Sequence, residues 1–294
     1  MSRLEDYMKE NRKVGCFGIQ YLDDKLRGIL KGDLILIGAR SGAGKSTIAE
    51  IIATANSSQG KKVTLLSLEN FKDDNFVQKA YYKYKAVSRE WSLSQRDFSS
   101  GDFKPNLYAL KEAEKYAEQQ FENINLINRQ ANFGKEELKE AMINAVQNEK
   151  SDLVIIDHID YLDKEPNQTE VEHVTSIMKE IRAAQYAFKM PVIAISHLRK
   201  TNSKYDIKVP SIDEFIGSSN KVKEATCVIM FAPNDEENMQ MDGTLKATFC
   251  CIRKLRMGGI DNTVAKIYFD TRTGQYKDGY NVYRVDYSGT KISS

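Results

Sequence analysis

Apolar residues come in short unbroken runs along this chain rather than in alternation. Leu34-Ile35-Leu36-Ile37, Val63–Leu68, Leu153–Asp157 and Pro191–His197 each read as a strand buried on both faces, the habit of parallel sheets. Ile124-Asn125-Leu126-Ile127 and Cys227–Phe231 predict two more strands. Between the runs the period lengthens to that of helices. Ile48, Ile51, Ile52 and Ala55 share one helical face, and Leu138, Met142, Ala145 and Val146 mark another over Gly134–Asn148. Helices are also predicted over Val174–Lys189 and Lys221–Ala225, and Ser2–Arg12 reads as a short charged helix. Ala247–Arg253 and Val264–Phe269 predict a hairpin. Strands alternating with helices predict an α/β fold, a central mostly parallel sheet flanked by helices. Two stretches are less regular. Gly15–Gly32 is a turn-rich lead-in, and His158–Leu162 reads as an extension of the strand that ends at Asp157.

Residues Asp73–Gln120 are polar and helix-rich, with Tyr81, Tyr82, Tyr84, Trp91, Phe98 and Phe103 interspersed. Aromatic residues among lysines suit base stacking. At this spacing a packed helical layer over the sheet is the stronger reading.

The turn after Leu34–Ile37 carries the chemistry. Gly38-Ala39-Arg40-Ser41-Gly42-Ala43-Gly44-Lys45-Ser46-Thr47 is a glycine-rich turn between a strand and a helix, the context of a phosphate-binding P-loop. Small residues let backbone N–H groups surround a phosphate, and the helix start adds its dipole and free donors. Ala39 to Thr47 therefore form the candidate nucleotide-binding segment. Lys45 would reach the β- and γ-phosphates, and the Ser46 hydroxyl would bind Mg²⁺. Arg40, inside the loop, is expected to point outward.

In parallel α/β sheets, ligands bind outside the carboxyl ends of strands. Three such ends carry polar groups suited to nucleoside triphosphate hydrolysis. Glu69 follows Val63–Leu68 and can orient or deprotonate the attacking water. Asp157 ends its strand and can hold Mg²⁺ directly or through water. His197 ends its strand and can hydrogen-bond the γ-phosphate or that water. The loop after it carries Arg199, Lys200, Lys204 and Lys208, a basic patch for nucleic-acid phosphates. Lys254 and Arg256, at the predicted hairpin tip, are candidates to act on a neighbouring chain's site.

Charge and cysteine usage narrow the setting. The 294 residues carry a net charge of only +2, so any nucleic-acid contact must be local. Met1–Lys13 is too polar for a secretory signal, and no run is long enough for a transmembrane helix. Cys16, Cys227, Cys250 and Cys251 fit no zinc spacing and read as reduced thiols, the last two on opposite faces of a strand.

The ordered motifs resemble the RecA-like motor domain of DnaB-type replicative ring helicases, of the phage or mobile-element type. The resemblance rests on "LKGDLILIGARSGAGKST", "LLSLEN", "LVIIDHIDYL", "MPVIAISHL" and "RKLRMGG". It implies a RecA-like fold and a cytoplasmic ATP- and Mg²⁺-dependent helicase. It implies a hexameric ring on single-stranded DNA, with a primase or loader as further partners. It also implies Glu69 as catalytic glutamate, Asp157 as metal-holding aspartate, His197 as sensor, and Lys254 and Arg256 as a finger pair acting in the neighbour's site. The matching organisation is a linker helix over residues 1–14, a motor domain over 15–277 and a polar tail over 278–294. Two departures exist: Ile216 stands where the family has arginine, and the Asp163–Glu172 loop is acidic rather than basic. They favour a second class, a RecA-like ATPase that binds or regulates a protein partner without unwinding.

Overall fold

The structure is a computed structural model that describes residues 4–5, 10, 12–71, 73–129, 132–199, 209–215, 218–240, 243–256 and 263–284. Most of the expected Ser2–Arg12 helix lies outside the described residues. The turn-rich lead-in folds more than its composition suggests. It holds β1 (Lys13–Gly15), α1 (Gln20–Leu26) and β2 (Ile29–Leu30), with β1 and β2 antiparallel. Burial explains it, because Phe17, Ile19, Tyr21 and Leu22 are driven into the core beneath the sheet.

The apolar runs form strands as expected. β3 (Leu34–Ala39) leads through the P-loop into α2 (Lys45–Ser57), and β4 (Val63–Ser67) follows. The aromatic stretch folds as α3 (Asp74–Ser88), α4 (Gln95–Ser100) and α5 (Leu107–Phe121). Phe98 and Phe103 stack, Tyr84 packs against both at an angle, and all three lie with Ala109, Ala113 and Ala117, so this layer packs on itself as its pattern predicts. Next come β5 (Ile124–Asn128), α6 (Lys135–Gln147) and β6 (Leu153–Asp157). His158–Leu162 does not extend β6. The chain turns at Asp157 into a 3₁₀ turn over Ile159–Tyr161, and Ile159 and Leu162 enter the core from that turn instead.

Helix α7 (Glu170–Phe188) begins four residues before the expected Val174. Thr169 and Glu172 cap it reciprocally: Thr169 Oγ1 accepts the Glu172 N–H at 3.2 Å, and Glu172 accepts the Thr169 N–H at 2.8 Å. The chain continues with β7 (Val192–His197), α8 (Ser218–Glu224), β8 (Cys227–Pro233), α9 (Asp235–Gln240), β9 (Leu245–Leu255) and β10 (Thr263–Asp270). Two short strands, β11 (Gln275–Tyr276) and β12 (Asn281–Arg284), both pair with β10. The sheet thus reaches past Lys277.

Ten of the twelve described strands make one sheet in the order β11-β10-β9-β8-β3-β7-β6-β4-β5, with β12 also on β10, and β1 and β2 pair apart from it. From β8 to β5 every pairing is parallel, and β9 to β12 add an antiparallel wing. Each face carries its own apolar core. Cys250 belongs to one and its neighbour Cys251 to the other, on opposite faces of β9 as expected. Because β3, β4, β6 and β7 run parallel, their carboxyl ends meet at one edge, where the site is built.

Candidate active site

The P-loop takes the shape its glycines allow. Ala39 is fully buried as the last residue of β3, so its backbone rather than its side chain faces the loop. Gly44 caps α2 with φ 77°, a left-handed geometry that a Cβ would strain. Helix α2 then starts at Lys45, aiming its free N–H groups and dipole into an open cavity of about 620 Å³. Gly42, Gly44, Lys45, Ser46, Glu69 and His197 line it. Asp74, Gln78, Gln95 and Ser99 close its far wall from the aromatic helical layer, a contribution that no motif signals.

Arg40 does not point outward. It turns back and makes a bidentate pair with Glu214, Nε to Oε2 at 2.8 Å and Nη2 to Oε1 at 2.7 Å. Both partners are largely buried, because Glu214 sits in a short turn against the loop. Phe215, next in chain, packs so close to Gly38 that a Cβ there would lie 2.5 Å from its ring. Glycine at 38 is therefore a packing requirement of the P-loop strand.

Asp157 is 1% exposed, and neither carboxylate oxygen has a hydrogen bond among the described residues. Burial pushes its carboxyl up from the usual range, opposed by the neighbouring Ser46, His158 and Lys45. A buried carboxylate without a donor, beside a hydroxyl and opposite a phosphate cradle, suits a divalent cation. Ser46 and Asp157 therefore fit Mg²⁺. Burial also lowers the Lys45 ammonium, against the pull of Glu69, Asp157 and Asp160.

Glu69 lies two residues past β4, half-exposed at the rim, its Oε1 accepting the Tyr161 hydroxyl at 3.4 Å. His197, paired with Ala39 across β3 and β7, looks into the same cavity. Burial, with His158 and Lys45 close by, holds its imidazole down at about 4, so it is neutral at pH 7. The structure thus gathers Lys45, Ser46, Glu69, Asp157 and His197 at one sheet edge.

Sequence reading missed the layer behind them. His158 is buried, its Nε2 3.6 Å from Glu69 and its Nδ1 3.4 Å from Asp160. Asp160 receives the His197 N–H and the ammonium of the fully buried Lys221. Burial alone would raise the Asp160 carboxyl, but His158 and Lys221 hold it well below the usual carboxylate range. Lys221 stands 61 residues from Asp160, and no spacing signals the pair.

The remaining candidates lie elsewhere. Arg199 is exposed, and its N–H donates to the Glu214 carbonyl; Lys200, Lys204 and Lys208 lie outside the described residues. Lys254 donates to the Val222 and Lys223 carbonyls at the C-terminal end of α8, at 2.5 and 3.2 Å. Arg256 is exposed just beyond β9. Through the register Leu255–Cys227–Ile35 it stands at the sheet edge opposite its own P-loop. Among the described residues no helix is long and apolar enough to cross a membrane.

A model of the DnaB-like helicase C-terminal domain matches residues 16–278. A solved DnaB-like replicative helicase, studied with its interactions with primase, aligns at TM-score 0.73 and 19% identity over 93% of this chain. This chain spans 64% of that one. A second solved structure, an isolated ATPase domain, aligns at TM-score 0.70 and 19% identity, over 93% of this chain and 94% of its own. No curated protein matches significantly. These likenesses show a RecA-like fold, and the match across the domain shows the lineage: the chain belongs to the DnaB-like helicase C-terminal domain family.

Proposed function

We propose that this chain is the ATP-hydrolysing motor of a replicative DNA helicase, working as a hexameric ring that moves along single-stranded DNA and separates duplex. The observation that carries the reading is the buried Asp157 carboxylate without a hydrogen bond, set beside Ser46 and Lys45 at a formed P-loop, in a chain of this family.

The backbone N–H groups from Ser41 to Thr47 cradle the phosphates, and Lys45 balances charge on the β- and γ-phosphates. Ser46 and Asp157 would hold Mg²⁺, which would supply countercharge to the phosphates. Glu69 accepts a proton from the attacking water. The water oxygen bonds to the γ-phosphorus as the bond from that phosphorus to the bridging oxygen breaks, giving ADP and phosphate. Neutral His197 donates a hydrogen bond at the γ-phosphate. Arg256 cannot reach its own site from the opposite sheet edge, and serves the next subunit's. Lys254 supports Arg256 from the end of β9, two residues earlier. Arg199, Lys200, Lys204 and Lys208 carry single-stranded DNA, and a primase or loader binds the ring.

Four measurements test this. Lys45→Ala should abolish hydrolysis and weaken nucleotide binding. Glu69→Gln should bind ATP as before and lose about 10²–10⁴ in turnover. Single-stranded DNA should stimulate hydrolysis by the unaltered protein, and a forked duplex should be separated. ATP hydrolysis indifferent to DNA, with no strand separation, would instead favour a regulatory ATPase.

A further inference from the structure

One turn beyond Asp157, a carboxylate stands where three elements meet. Asp160 accepts the His197 backbone N–H at 2.7 Å, the Ser196 hydroxyl at 3.2 Å and the Lys221 ammonium at 2.8 Å. Lys221 also donates to Ser196 Oγ at 2.7 Å and has no exposed surface. On its other side Asp160 lies 3.4 Å from His158, which stands 3.6 Å from Glu69 and edge-on to the His197 ring. The turn after β6, the tip of β7 and helix α8 are thus joined through one ion pair. The next two carbonyls of α8, those of Val222 and Lys223, are held by Lys254, two residues before Arg256. Polar contacts thus run from this chain's own pocket to Lys221 on α8 and from α8 to Lys254, and the backbone at the end of β9 joins Lys254 to Arg256.

We propose that Asp160 and Lys221 are positioning residues that set His197 and Glu69 in the chain's own site and, through α8 and Lys254, set Arg256 for the next subunit's site. Stability explains such a pair poorly. Removing one partner of a buried ion pair is costly, but exchanging both for apolar groups of like volume is often neutral or stabilising. A lysine held in the core is therefore retained for what it fixes. What it fixes here is specific: the backbone of the residue that looks into the pocket, and the helix that braces the finger. A shift of the β7 tip on loss of the γ-phosphate would pull on Asp160, then Lys221, then the carbonyls that hold Lys254. Coupling of this kind is established only by perturbing it, since a line of contacts is not in itself a path.

The inference rests on the shared-site reading above, and the experiment separates their failures. The variant is Asp160→Asn with Lys221→Met, which removes both charges and leaves no unpaired ion. It should melt within a few degrees of the unaltered protein and bind a fluorescent ADP analogue with unchanged affinity. Its kcat should fall about 10- to 100-fold, as for other groups that orient a site's own residues. If it melts early, Ser196→Ala, which deletes only the hydroxyl between the charges, carries the same readout. Unchanged kcat in the variant that folds overturns the proposal.

Mixing tests the arm to Arg256. Arg256→Ala subunits have intact pockets and lack the finger. Combined with Lys45→Ala subunits, which keep it, they should regain ATPase activity. Combined with the Asp160→Asn/Lys221→Met subunits they should regain less, by up to about the same 10- to 100-fold, because that finger is held less firmly. Equal recovery in the two mixtures overturns the link to Arg256. Failure of the first mixture instead overturns the shared site itself.

Discussion

The two edges of the sheet handle charge in opposite ways. At the P-loop edge, acids and bases are buried and matched: Arg40 with Glu214, Asp160 with Lys221, and Asp157 enclosed beside Ser46. At the far edge, Arg12, Lys25, Arg27, Lys31 and Arg256 line an open cleft of about 420 Å³ around Asp33. Lys31 approaches Glu10 only to 3.9 Å, with about half of each side chain exposed. The first edge encloses its charges among partners. The second leaves Lys25, Arg27, Lys31 and Arg256 exposed at the surface.

The sharpest way to break this contrast is at Arg256. Arg256→Ala subunits should lose roughly 10³–10⁵ in ATP turnover, the span of an arginine finger, while binding nucleotide normally. Activity should return on mixing with Lys45→Ala subunits and should depend on protein concentration. Normal turnover in Arg256→Ala alone would leave the far edge without a catalytic part.

The next effect is on folding. Arg40→Ala leaves Glu214 buried without its guanidinium and should cost about 3–5 kcal/mol in denaturant unfolding. Lys31→Ala, at the exposed pair of the far edge, should cost no more than about 1 kcal/mol. Equal losses would mean that burial does not distinguish the two edges.

The smallest effect is a pH dependence confined to the P-loop edge. The folded chain holds His197 at about 4, below the ordinary value near 6.5. Between those values the unfolded chain binds a proton that the folded chain does not, so stability rises with pH across the window. This contribution is complete above about pH 6.5 and is lost as pH falls toward 4. Melting temperatures at pH 7.5 and pH 5 should therefore draw together in His197→Gln. An unchanged gap would assign the dependence to other groups.

Local signals make the sheet and the P-loop legible. β6 is readable to the residue because five buried positions end in a carboxylate, and the helical layer is readable from its aromatic spacing. What escapes reading depends on distant partners. His158–Leu162 carries enough apolar residues to pass for a strand, yet Ile159 and Leu162 reach the core from a turn. Arg40 reads as solvent-directed because Glu214 is 174 residues away in sequence. The helix in the lead-in has only seven residues, too few to establish a period. The phosphate-facing residues are thus announced by motif, whereas the groups that hold them in place are set by tertiary packing alone.

The cysteines turn the sheet into a chemical clock. Cys227, Cys250 and Cys251 are at most 3% exposed, and burial raises all three thiols, Cys227 to about 12 and Cys251 to about 11. Thiolate, the reactive form, is therefore scarce as well as shielded in the native fold. Cys16 is only half-buried, its sulfur accepting a Gln59 amide N–H. A thiol reagent should modify Cys16 first, and the other three only as fast as the sheet between the two cores comes apart. Mass spectrometry of the labelled protein would then time the opening of β8 and β9 directly, without a denaturant.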